Sequence, residues 1–299
     1  MFAVLQCRRK MMNTGPECIA CFMSQVLRTG RLLGLDDEKV TSLMTETGSL
    51  FSRFRLDHAP PRNARMIYDL INRYAGTDDP FRQLKDRATA HALGLYRELE
   101  TEVGKSADPV GLAIRLAITG NVIDFGIASD YDLEKEIGMA LSLNGNFSMW
   151  EEDGLKDAFR SAPWILYLAD NTGETVMDRL LITVLEKPVK YAVKSGPIIN
   201  DAEERDAVAA GIPAVAEIVE TGCRIPGVAL EECSEDFIEL FDSAPLVISK
   251  GQGNFETLVG CDRPVFFLLK AKCGVVANML GVAQGEHVIT TALRAADFV

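Results

Sequence analysis

Nowhere in the 299-residue chain does an uninterrupted apolar run approach the roughly 20 residues of a membrane-spanning helix. No secretory leader is expected either. The apolar stretch from Met1 to Leu5 precedes Arg8-Arg9-Lys10, the reverse of the order in a signal peptide. Met11 or Met12 would serve as an alternative start, in which case the first ten residues are expected to be a disordered extension. Positive charge is in short supply: 31 Lys and Arg stand against 43 Asp and Glu, a net charge of −12. That balance argues against nucleic acid or an anionic membrane surface as the main partner. An anionic small molecule stays possible, because distant charges are screened beyond about 8–10 Å at cellular salt. The cysteines form no disulfide framework, being seven and scattered, so the expected compartment is the reducing cytoplasm. His58, His91 and His287 each stand alone and receive no role. No internal repeat or low-complexity segment is found.

What is present divides near residue 160. Residues 1–160 read as a helical amino-terminal lobe with few convincing strands; its helical patterns begin at Glu17, Asp36, Ala64, Pro80, Asp108, Asp132 and Glu151. Residues 161–299 alternate short apolar strands with helices, the pattern of a mostly parallel sheet. The expected strands are Trp164–Ala169, Val189–Val193, Val215–Val219, Leu246–Ser249, Val265–Leu269 and a weak one at His287–Thr290. The boundary is a change of texture, not a linker, so the two parts are expected to share an interface.

Trp164–Glu174 (W-I-L-Y-L-A-D-N-T-G-E) organises the second part. A strand buried on both faces delivers Asp170 and Asn171 to its carboxyl end, where open α/β sheets bind ligands. An acid and an amide there supply two oxygen ligands for a hard cation. The competing reading is that one of them caps the following helix. After the next strand, Lys194, Ser195 and Asp201 reach the same edge, although Asp201 also precedes a helix start. In Lys250-Gly251-Gln252-Gly253-Asn254 a strand feeds a lysine into a two-glycine loop opening a helix. The sum reads as a cradle for phosphate, distinct from a Walker A loop, against the competing reading of a loop with an ordinary solvated lysine. Lys270 and Lys272 follow the neighbouring strand, and either alone reads equally well as solvated surface. Gly120-Asn121-Val122-Ile123-Asp124 holds two polar side chains in a turn, and Asx hydrogen bonding explains such a turn by itself. Cys18-Ile19-Ala20-Cys21 has metal or redox spacing, yet no second pair completes four zinc ligands; two helix-packing thiols are expected instead.

With D-N-T-G-E, G-N-V-I-D, K-G-Q-G-N-F-E and K-A-K-C in this order, the chain resembles the damage-control phosphatase family, long filed as domain of unknown function 89. C-x-x-C and the terminal K-C resemble its microbial branch. The resemblance implies a three-layer α/β/α, Rossmann-like core under a helical amino-terminal lobe, and metal-dependent hydrolysis of small phosphate esters. It implies metal ligands at Asp170, Asn171 and Asp201, of which Asp201 lies in the loosest motif, and substrate contacts at Lys250, Asn254 and Lys272.

The residue chemistry is compatible with this. A carboxylate–amide–carboxylate set suits Mg²⁺ or Mn²⁺, with Co²⁺ or Ni²⁺ as alternatives. Asp170 would act through the metal, while Asp124 or Glu174 would take the proton of the attacking water. Asn121, Ser195, Lys250, Gly251, Asn254 and Lys272 would surround the phosphate. Two rivals are carried forward, an S-adenosylmethionine-dependent methyltransferase and a non-catalytic phosphometabolite-binding protein. The first lacks a G-x-G-x-x-G loop after its first strand.

Overall fold

The computed structural model describes residues 12–120, 133–141, 147–149 and 151–292. Alternation within the strands sets the architecture. In β2 (Ile165–Leu168), Ile165 and Tyr167 enter one core while Leu166 and Leu168 enter another, so the sheet is covered on both faces. β3 (Val189–Val193), β5 (Val247–Lys250), β6 (Val265–Lys270) and β7 (His287–Thr291) lie beside it. β4 (Glu217–Glu220) and the three-residue β1 (Phe147–Met149) form the two edges. The order is β1-β7-β6-β5-β2-β3-β4, with every pair parallel except β6 with β7.

One face of the sheet packs against α4 (Arg82–Lys105), α5 (Pro109–Thr119), α7 (Glu152–Ser161) and α8 (Thr175–Leu185). The other packs against α10 (Glu235–Ser243), α11 (Gly251–Leu258) and α12 (Gly274–Leu280). The layering is helix, sheet, helix. α1 (Pro16–Leu32), α2 (Asp37–Leu50) and α3 (Pro60–Ala75) form a separate small core built on Phe22, Val26, Leu43, Ile67 and Ile71, which also takes in Ile198 from the loop after β3. Two helices remain, α6 (Leu133–Leu141) and the short α9 (Glu204–Ala209).

β1 precedes residue 160 yet pairs with β7, and α4 and α5 pack against β2 and α8. The sheet layers therefore draw on both sides of that point. β4 starts two residues later than its apolar pattern predicts, because Ile212–Ala214 forms a tight 3₁₀ turn and Val215 ends it. Gly251 already belongs to α11, so no open loop separates it from β5.

Candidate active site

Backbone pairing brings the candidate metal ligands together. Asn171 and Asp201 form an isolated antiparallel bridge. Ala202 N donates to Asp170 O at 2.8 Å, and Thr172 N donates to Asn200 O at 2.8 Å. The turn after β2 is thus zipped to the turn after β3. Asp170, Asn171 and Asp201 all line one cavity of about 670 Å³, lying between this edge and the core of α1 and α3.

The capping readings do not hold in this geometry. Glu174 occupies the cap position of α8, and no side chain caps that helix. Helix α9 is closed by Glu203 and Asp206 in a reciprocal capping box. Asn171 spends its NH₂ group on Glu174 Oε1 at 2.9 Å and Asp170 Oδ2 at 3.2 Å. Its Oδ1 takes no donor among the described residues, so an acceptor oxygen is left beside two carboxylates. Burial pushes the Asp170 carboxyl well above its ordinary range; Glu174 and Asp201 add to this, while Lys272 and Lys194 oppose it. Crowded buried acids with one amide oxygen fit a hard divalent cation. Among the described residues no group of three or more His, Cys, Asp and Glu could hold a metal; this set counts only two carboxylates, and its third oxygen is an amide.

Gly251 explains how Asp170 finds room. Its φ is +77°, and a Cβ there would lie 1.8 Å from Asp170 Oδ2. The glycine therefore seats a carboxylate, where the sequence reading had it cradle phosphate.

Four other expected substrate or catalytic residues are held by protein neighbours. Lys250 is fully buried, and its ammonium donates to Ala117 O at 2.8 Å, Glu174 Oε2 at 2.7 Å and Asp178 Oδ1 at 2.7 Å. All three protons are engaged, and none is left for a phosphate. Burial alone would lower its pKa, but Asp178 and Glu174 hold it above the usual lysine value. Glu174 is equally closed in: Oε2 accepts from Lys250, and Oε1 accepts from both Asn171 N and Asn171 Nδ2, so it reaches no water in the cavity. Asn254 donates to Ala169 O and Lys250 O and accepts from Lys194, tying β2 to the start of α11. Ser195 Oγ accepts from Gly222 N at 2.7 Å and does not line the cavity. Asn121 and Asp124 lie outside the described residues.

Lys272 does line the cavity, and its backbone N–H is fixed by Gln252 Oε1 at 2.8 Å. Lys270 is buried, so of its two open readings the solvated-surface one does not hold. Cys18 and Cys21 join Cys273 on the cavity wall; burial raises the Cys18 thiol to about 11. Sequence reading missed Asp178, Tyr167, Gln252 and Glu256. The available signal for Asp178 was its place one turn after Glu174 on a helix otherwise apolar on that face. Glu256, on the cavity wall, is pushed up to about 7 by burial, against the hydrogen bond from Gln252.

The fold and the edge chemistry define an α/β core with an oxygen-rich pocket at the carboxyl edge of its sheet. A family model described as damage-control phosphatase ARMT1-like domain matches residues 14–288, and the chain belongs to that family. It is similar to damage-control phosphatase PH1575 of Pyrococcus horikoshii, 35% identical over 91% of this chain and 96% of the relative. A damage-control phosphatase of Archaeoglobus fulgidus is 28% identical over 93% and 98%, and an uncharacterised protein of Methanocaldococcus jannaschii is 33% identical over 92% and 94%. The crystal structure of a DUF89 family protein from P. horikoshii superposes with a TM-score of 0.83 at 32% identity, covering 93% of this chain and 99% of that one. The chain is accordingly a phosphatase, which removes the methyltransferase and non-catalytic rivals. No helix among the described residues is long and apolar enough to cross a membrane.

Proposed function

We propose that the chain is a divalent-metal-dependent phosphomonoesterase acting on small phosphometabolites, sugar phosphates or cofactor-precursor phosphates. The observation that carries this is the zipping of 170–172 to 200–202, which presents Asp170, Asn171 and Asp201 to one cavity. These three would hold Mg²⁺ or Mn²⁺, or alternatively Co²⁺ or Ni²⁺. When bound, such an ion neutralises phosphoryl oxygens and lowers the pKa of a coordinated water. Lys272, on the cavity wall with its main chain held by Gln252, would supply positive charge for the remaining phosphate oxygens. Phe22, Tyr68 and Val275 form an apolar wall against which the rest of the ester packs away from water. In the net reaction a water oxygen bonds to phosphorus, the P–O ester bond breaks, and the alcohol leaves with a proton.

The test is a phosphate-ester panel assayed with and without Mn²⁺ or Mg²⁺. At least one small ester should be hydrolysed, and both a chelator and Asp170→Ala should abolish turnover while the circular dichroism spectrum is kept. Turnover indifferent to chelator overturns the metal reading.

A further inference from the structure

From the buried cluster beneath the pocket we infer that Lys250 is a positioning residue for the metal ligand Asn171, acting through Glu174. This rests on reading Asn171 as a ligand. Lys250 is the last residue of β5, and Ile248, two residues earlier, faces the core of α5 and α8. Alternation therefore sends Lys250 to that same face, away from the cavity.

There its ammonium joins three elements: Ala117 O near the end of α5, Glu174 at the cap of α8, and Asp178 one turn further on. Asp178 is fixed from its other side, accepting from Tyr167 OH at 2.6 Å and Tyr191 OH at 2.8 Å. Glu174 is packed in turn: a Cβ on Gly120 would come within 2.9 Å of Glu174 Cβ. With Oε2 held by Lys250, Oε1 has one orientation, aimed at Asn171 N and Nδ2 at 2.8 and 2.9 Å.

The amide is thereby oriented. A carboxylate only accepts hydrogen bonds, so the side of Asn171 facing Glu174 must be its NH₂, and the carbonyl oxygen is turned the other way. Removing Lys250 takes away the ammonium that holds Glu174 Oε2, and an Asn171 amide that flips offers a cation an NH₂ group, which is no ligand. Partners that orient a ligand typically change metal affinity by roughly ten- to a hundred-fold when mutated.

The discriminating experiment is calorimetric titration of the metal-free full chain with Mn²⁺, paired with kinetics on a good phosphate ester across Mn²⁺ concentrations. Lys250→Met should weaken Mn²⁺ binding roughly ten- to a hundred-fold, with kcat recovering as Mn²⁺ is raised. Direct phosphate contact gives the opposite pattern, unchanged Mn²⁺ affinity with a kcat that added metal does not rescue, and overturns the inference. Should Lys250→Met not fold, Glu174→Met replaces it. It keeps a side chain of similar length and leaves Lys250 on Ala117 and Asp178 while removing the acceptor that faces the Asn171 NH₂ group. The same metal-dependent loss is expected, and native Mn²⁺ affinity overturns the inference. Asp170→Asn separates the two levels. If it binds Mn²⁺ like the wild type, the metal reading itself fails. If it loses Mn²⁺ while Lys250→Met or Glu174→Met retains native affinity, only the positioning role fails.

Discussion

At the scale of single residues, the pocket depends on a missing side chain as much as on those present. Gly251 sits at φ +77°, where a Cβ would fall 1.8 Å from Asp170 Oδ2 and 2.2 Å from Cγ. Gly251→Ala therefore combines backbone strain of about 1–3 kcal/mol with displacement of a carboxylate that has no spare room. The expected outcome is a lower unfolding midpoint and a loss of Mn²⁺ affinity much larger than the stability change alone explains. Thermal unfolding and calorimetry on the same preparation check both parts, and native affinity would show that the glycine serves something other than Asp170. The residues at this edge divide by what a sequence encodes. That Asp170, Asn171, Asp201 and Lys272 line the cavity was legible because a polar group directly after an apolar strand marks the carboxyl edge. Lys250, Asn254 and Ser195 were assigned to the same edge but bond to protein neighbours, since edge position does not reveal which face a side chain takes. For Lys250 the parity with Ile248 held the answer. For Asn254 the target is Ala169 O, a main-chain group distant in sequence that no motif announces.

Among elements, the contact of α4 with the turn around α9 is a second buried charge cluster. Lys85, fully buried, lies 2.7 Å from Glu203 Oε2 and 2.7 Å from Asp206 Oδ2, and Arg82 also pairs with Asp206. Asp206 Oδ2 further accepts from Thr172 at 3.2 Å, so a helix of the amino-terminal half steadies the turn that carries Asp170. Lys85→Met strands buried carboxylates and should cost about 3–5 kcal/mol, read as a lower urea midpoint with an unchanged slope. Burial would raise the Asp206 carboxyl, but Lys85 and Arg82 hold it below the usual range. A depressed folded-state value contributes stability above the unfolded value of about 4, which is lost as pH falls through the folded one. The gap between wild type and Lys85→Met should therefore close on acidification, and urea titrations from pH 7 to pH 3 measure it. A gap that stays constant would mean Lys85 acts through packing alone. Most elements were readable from periodicity because each has one apolar face. β1 was not, being three residues long and paired with β7 only through backbone groups whose partner comes much later in the chain.

For the whole molecule, the pocket is a joint between the small core of α1–α3 and the sheet edge, so filling it stabilises more than a loop. A ligand that binds only the folded chain at a hundred times its Kd adds about 2.7 kcal/mol. For a chain of this size that corresponds to roughly 5 °C in Tm. Mn²⁺ at saturation should raise the melting temperature by about that much, a chelator should reverse it, and Asp170→Ala should show neither effect in a thermal-shift assay. The layered order was legible in outline, since buried strands alternating with helices leave few alternatives. The place of α4 and α5 against the sheet was not, because an apolar helix face does not name its partner. Asp170 and Asp201 stand at the two ends of a β2–α8–β3 crossover, and nothing local in the unfolded chain brings them near each other. A cation finds no complete set of ligands until those strands have paired and their turns have closed. A bound cation would then act as a latch on finished structure, slowing escape from the native state and leaving the speed of reaching it unchanged.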